Sequence, residues 1–129
     1  MNINEYIPDD EIEWSVKDYR SGTVSLSKKQ LKDHIQIEHP EMIPKMDAVK
    51  ATIQDPDDVY QDISEHAETN SQVFYKQTEL LGTDKFRVKV AIAYSDATLT
   101  EGFVKTTHKV DLKRRKAESD DLRIYHKEK

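Results

Sequence analysis

Lys85-Phe86-Arg87-Val88-Lys89-Val90-Ala91-Ile92-Ala93-Tyr94 decides how this chain is read. Phe86, Val88, Val90, Ile92 and Tyr94 alternate with Arg87, Lys89, Ala91 and Ala93, the period of two of a strand with one face in a core. Arg87 and Lys89 are therefore expected on the face opposite the core. Upstream, Gln72 to Gln77 reads as a partner strand, and Gly82-Thr83-Asp84 supplies the turn between the two. Downstream, Gly102 to Val110 is a third strand, and Leu122-Arg123-Ile124-Tyr125 is one more strand-like patch in a charged tail.

The first half of the chain follows different rules. Two short alternating stretches between Trp14 and Leu26 flank Arg20-Ser21-Gly22 and predict a hairpin turning near Gly22. Ser27 is placed to cap a helix opening at Lys28, with Leu31, Ile35 and Met42 at near-helical spacing. Pro40 disfavours helical geometry at His39, so this helix should stop at about Glu38. Pro44 suits the first turn of a second helix carrying Met46, Val49 and Ile53 on one face. Asp55-Pro56-Asp57-Asp58 then reads as the cap and first turn of a third, short helix running to about Ser64 and burying Val59 and Ile63. Glu65 to Ser71 is a polar loop.

Helices first and strands after predict an α+β fold, with two or three helices packed on one face of a four- to five-stranded antiparallel sheet. The other face of such a sheet is expected to be wet, and here basic. The domain plan is an acidic leader over residues 1–13, one domain over 14–112 and a charged tail over 113–129.

The 129 residues allow one domain with a real core, and the formal charge is −5. That charge is unevenly spread, at −5 for residues 1–13, −4 for 14–70 and +4 for 71–129. A basic second half is compatible with a polyanionic partner, and equally with charge scattered for solubility. The absence of cysteine excludes disulfides, zinc–thiolate sites, iron–sulfur clusters and cysteine nucleophiles. The longest apolar run, Val90 to Tyr94, is far too short for a membrane span. Met1-Asn2-Ile3-Asn4-Glu5 has none of the basic and apolar regions of a signal peptide, so a cytoplasmic location is expected.

No glycine-rich phosphate loop, Gly-x-Ser-x-Gly elbow or His-Glu-x-x-His segment occurs. His34 and His39 lie five positions apart, about 140° around a helix, so that helix alone does not build a two-histidine metal site. Glu38 stands one turn after His34 and would orient its ring, as general acid–base chemistry requires and as an ordinary surface pair also does. His39 is either catalytic or a cap on the helix end. On the strands, Arg87 and Lys89, extended by Lys76 and by Lys105 or Lys109, would neutralise phosphates with Tyr75 stacking on a base, or they form a solvated strand face with Tyr75 in the core. Thr106, Thr107 and His108 add hydroxyls and an imidazole to the third strand, where threonine is also simply a good strand former. Lys113-Arg114-Arg115-Lys116 is a solvated run or a phosphate contact.

The order of these pieces resembles the phage-encoded nuclease-like domains grouped with barnase, EndoU, colicin and RelE toxins. The segments that carry it are Leu31-x-x-His34-Ile35, His39-Pro40-Glu41, Asp55-Pro56-Asp57, Phe74-Tyr75-Lys76 and Phe103 to His108, covering residues 14–110. The resemblance implies a barnase- or RelE-like α+β domain and metal-independent cleavage of RNA, with no cofactor. It assigns His34, His39, Lys76 and Thr106 to catalysis, with Tyr75, Arg87, Lys89, Thr107 and His108 against the substrate. The implied partners are RNA, tRNA among the candidates, and an inhibitor or immunity protein. Two departures stand out. Similar domains carry a single threonine followed by an aromatic where this chain has Thr106-Thr107-His108, which leaves the equivalent threonine open. The chain is also acidic, whereas ribonuclease toxins are usually basic.

In that chemistry one histidine takes the ribose 2′-hydroxyl proton, another protonates the departing 5′-oxygen, and a cation stabilises the pentavalent phosphate. His34, His39 and Lys76 are the expected holders of these roles. The alternative is a non-catalytic nucleic-acid- or protein-binding module on the same scaffold, such as a phage protein that engages a host factor. An exposed acidic leader would suit that role.

Overall fold

The alternating segment forms the central strand of the molecule. A computed structural model describes residues 11–63, 70–112 and 120–128. Its strands are β1 (Ile12–Lys17), β2 (Thr23–Ser27), β3 (Asp58–Gln61), β4 (Ser71–Lys76), β5 (Phe86–Tyr94), β6 (Glu101–Asp111) and β7 (Arg123–His126). They make one seven-stranded sheet in the order β1-β2-β6-β5-β4-β3-β7, with β5 fourth.

This corrects the expected four- to five-stranded antiparallel sheet. The strand count is seven, and β2 runs parallel to β6, so the sheet is mixed. Helices packed on one face of an antiparallel sheet do not describe it; among the described residues α-helix is confined to two short segments, 28–38 and 46–54. Only the coarse mixture of α and β survives. Two local misreadings explain the extra strands. The hairpin β1–β2 joins the main sheet through Thr23, Val24 and Ser25 against Glu101, Gly102 and Phe103. The short helix expected after Asp55 is instead β3, paired with β4 on one side and β7 on the other. Val59 and Tyr60 are fully buried there, whereas Ile63 is exposed. Pairing on both edges gives these β-favouring residues more than a single helical turn offers, since a short helix gains little by itself.

The other local expectations match in part: Pro44, expected in the first turn of the second helix, lies instead in the 3-10 turn before it. The Ser27 hydroxyl accepts from the Gln30 amide and caps α1 (Lys28–Gln30). A π-helical turn (Leu31–Ile35) and α2 (Gln36–Glu38) continue it, ending one residue before His39 as Pro40 requires. After a 3-10 turn (Pro40–Lys45), α3 (Met46–Gln54) turns Val49 and Ile53 into the core. Ser21, with φ 71°, takes the left-handed position in the β1–β2 turn, next to the expected Gly22. The buried Asp18 fastens that turn: Oδ1 accepts from the Arg20 and Gly22 amides, and Oδ2 accepts from the Tyr94 hydroxyl at 2.5 Å. Burial, then the Asp18 charge, push the Tyr94 hydroxyl pKa far up, so it stays a donor.

β6 is decided by a bulge. Ala91 pairs with Thr106 but Ile92 pairs with Val104, so Lys105 is the extra residue. An added residue reverses which face the following side chains occupy. Val104 and Thr107 therefore point into the core, while Thr106 and His108 point to the opposite face. The Lys105 ammonium, largely covered, pairs with Asp62 at 3.2 Å, and its carbonyl accepts from the Gln30 side chain. Beyond residue 103 the β2 side of β6 has no paired strand among the described residues, and the 28–45 segment packs along β6.

The main core lies on the face of Val88, Val90, Ile92 and Phe74, under α3. The opposite face is the wet, basic surface expected only in part. Tyr60, Val73, Tyr75 and Ala91 form a second buried cluster there, with Val110 and Leu122 packed on it. β1 begins at Ile12, inside the stretch read as an acidic leader. The Lys113–Lys116 run and most of the 65–71 loop lie outside the described residues.

Candidate functional site

Cross-strand register lines up a row of polar side chains on the second face. Asp58 pairs with His126 and with Tyr75, Tyr75 pairs with Lys89, and Lys89 pairs with His108. Residues paired in this way share a face, so five successive strands contribute one side chain each across about 19 Å. The row continues into the helical segment. The His39 ring stacks on His108 with centroids 4.8 Å apart, and His34 meets His39 edge-on at 6.3 Å. Pro40 makes this possible by forcing His39 out of the helix at φ −137°, ψ 57°.

One step along the strands, Arg87 lies over the Tyr75 ring at 4.3 Å, and Lys89 is 5.8 Å from the same ring. Both are cation–π distances. Tyr75 is only 2% exposed and meets Tyr60 edge-on, so its ring is a support for the cations and does not offer a face to a base. Three buried atoms on this face, Arg87 Nε, Thr106 Oγ1 and His108 Nδ1, have no hydrogen-bond partner among the described residues. Each such atom costs about 1–3 kcal/mol, and unpaired buried donors mark a place where ligand atoms would be satisfied.

Burial, with Lys89 and His39 adding to it, pushes His108 down to a pKa of about 4. His108 is thus a neutral imidazole at pH 7 beside a lysine. His34 Nδ1 is 2.5 Å from Glu38, the i,i+4 contact expected, and His39 Nδ1 is 4.0 Å from Glu41. Among the described residues no group of three or more His, Asp or Glu side chains is arranged to hold a metal ion.

Of the residues singled out by sequence, His34, His39, Tyr75, Arg87, Lys89, Thr106 and His108 come to this face or its rim. Lys76 and Thr107 do not. Lys76 pairs with Val88 and so belongs to the main-core side. Its ammonium donates to the Asp55 carbonyl at 2.7 Å and to the Asp55 carboxylate at 3.2 Å, fastening the end of α3 to β4. Thr107 is fully buried and donates to the Lys89 carbonyl at 2.9 Å. Lys109 also pairs with Val88, lies over Phe86, and is off the row.

Two members of the row escaped sequence reading. Asp58 reads as an acid in a first helical turn, and His126 follows the recognised strand patch without any spacing signal. In the fold, His126 Nδ1 is 2.6 Å from the buried Asp58 carboxylate. Reading Asp58-Val59-Tyr60-Gln61 as alternating would have put Asp58 and Tyr60 on one face.

No family model, curated protein or solved structure matches the chain. The resemblance to nuclease-like domains rests on the quoted motifs alone. Among the described residues no helix is long and apolar enough to cross a membrane.

Proposed function

We propose that this sheet face binds single-stranded RNA. The observation that carries the reading is the cross-strand row, which gathers Lys89, His108 and His39 on one side of a rigid sheet with Arg87 beside them. Cations held on paired strands meet phosphates at fixed spacing and lose little entropy on binding. Binding is favoured over cutting because His39 and His108 are stacked ring on ring and Lys76 is tied to Asp55 on the other side. Two stacked rings lie on one side of a phosphate, whereas in-line cleavage needs a base and an acid on opposite sides.

Anisotropy of a labelled ten-nucleotide RNA at 50 and 200 mM salt tests this. Two phosphates neutralised by Arg87 and Lys89 give a log–log salt slope of about −1.4, which is roughly sevenfold weaker binding across that range. Lys89→Ala should reduce the slope by about 0.7. Binding with no salt dependence, or a slope that Lys89→Ala leaves untouched, would remove the face from consideration.

A second reading, metal-independent cleavage of that RNA, is favoured by one observation, the neutral His108 imidazole beside the Lys89 cation. It would take the 2′-hydroxyl proton as the 2′-oxygen displaces the 5′-oxygen from phosphorus, with Lys89 stabilising the phosphate and water protonating the departing 5′-oxygen. Incubation with total RNA in EDTA, assayed for 2′,3′-cyclic phosphate ends, separates it from binding alone.

A further inference from the structure

At the β7 end of the row lies a cleft of about 180 Å³, lined in part by Asp57, Asp58, Tyr75, Arg87, His126 and Lys127. The geometry points to this cleft as a binding site for a terminal phosphate monoester.

The carboxylates in and beside it are already engaged. Asp58 Oδ1 is taken by His126 Nδ1 at 2.6 Å, and Asp57 Oδ2 accepts from the Gln77 amide at 2.8 Å. Asp55, next to the cleft, accepts from Lys76 and from Lys127 at 2.7 Å. These contacts leave Arg87 as the cation without an anion. Among the described residues its guanidinium makes neither an ion pair nor a hydrogen bond, and Nε is buried with no partner. The cation–π contact with Tyr75 anchors the guanidinium, whose planar N–H edge is a fork suited to an oxyanion.

His126 faces the cleft from another strand. Its Nδ1 is held by Asp58, so in the imidazolium form Nε2–H is the donor left to meet a ligand. Donors arriving from two walls suit a tetrahedral oxyanion with several free oxygens better than a planar carboxylate. The volume is below the ~300–1,000 Å³ of sites that enclose whole drug-sized ligands, so the cleft takes a phosphate and the atoms next to it. Phosphodiester backbone would present only two free oxygens and two chain directions; a monoester end enters with one.

The test uses the full chain, titrated with inorganic phosphate and with adenosine 5′-monophosphate while the Arg87 Nε–H resonance is followed. Both ligands should shift that signal, and Arg87→Gln should weaken binding at least tenfold. Arg87→Lys keeps the charge without the fork, so it should weaken binding as well. It also covers the case in which Arg87→Gln fails to fold. Phosphate binding unchanged by either substitution, or saturation without movement of the Arg87 signal, overturns the proposal. A hexanucleotide RNA with a 5′-phosphate, compared with its 5′-hydroxyl counterpart, identifies the source. Tighter binding of the phosphorylated strand points to an RNA end, and equal binding alongside retained phosphate and nucleotide binding points to a free phosphate or nucleotide. The proposal does not depend on the RNA reading: loss of all RNA binding with phosphate binding intact would sink that reading and leave this one standing.

Discussion

Lowering the pH from 7.5 to 5 should destabilise the protein through His108. Burial, with Lys89 and His39 adding to it, holds this ring at a pKa of about 4 in the fold, against 6.5 for the free side chain. The folded pKa lies below the unfolded one. As pH falls through 6.5 the unfolded chain therefore takes up a proton that the folded chain refuses, and stability drops. The loss grows until about pH 4, where the folded ring also protonates. Full linkage gives about 1.6 kcal/mol between pH 6.5 and 5. The ring is only partly buried, and solvent screening reduces this to about 0.5–1 kcal/mol. For a domain of this size that is roughly 2–4 °C in Tm. Urea unfolding followed by Trp14 fluorescence at four pH values, for the parent and His108→Gln, reads it directly. Carboxylates that titrate in the same range act on both proteins, so the difference between the two curves isolates the ring. The parent should lose 0.5–1 kcal/mol more than the variant by pH 5. Parallel curves, or a parent that gains relative to the variant on acidification, would refute the account of His108 as a ring desolvated beside a cation.

Lys76→Ala should leave RNA binding and its salt slope unchanged, because the ammonium is occupied at Asp55 on the other face; anisotropy would show it, and lost binding would restore the sequence-based assignment. Tyr94→Phe removes the donor to the buried Asp18 carboxylate and should cost about 1–3 kcal/mol in urea unfolding. A neutral result would mean that the two amides on Asp18 Oδ1 satisfy it alone.

The local structure was legible wherever neighbouring residues set it. Alternation marked β5, the Ser27 cap and Pro40 bracketed the first helix, and Leu122 to Tyr125 marked the last strand within a residue or so. Asp55-Pro56-Asp57-Asp58 misled, because Pro and acids suit a helix start as well as a turn into a strand. Only the partners on both sides of Val59 and Tyr60 settled it as β3. The candidate site was legible as residue types and not as an assembly. Lys76 and Tyr75 are neighbours in sequence and point to opposite faces; they meet only at the edge cleft, where Lys76 is tied to Asp55.

By itself, then, the sequence determined a cysteine-free mixed α and β chain, an alternating central strand and a histidine expelled from a helix by proline. All of these follow from interactions within a few residues. The tertiary structure decided the seven-stranded mixed sheet and which side chains share a face. The bulge at Lys105 turns Thr106 and His108 away from the core and Thr107 into it. The strand pairing brings His126 to Asp58, 68 positions away. Face and partner depend on register between distant segments, and a single extra residue reverses them, so no local pattern in the chain could have specified either.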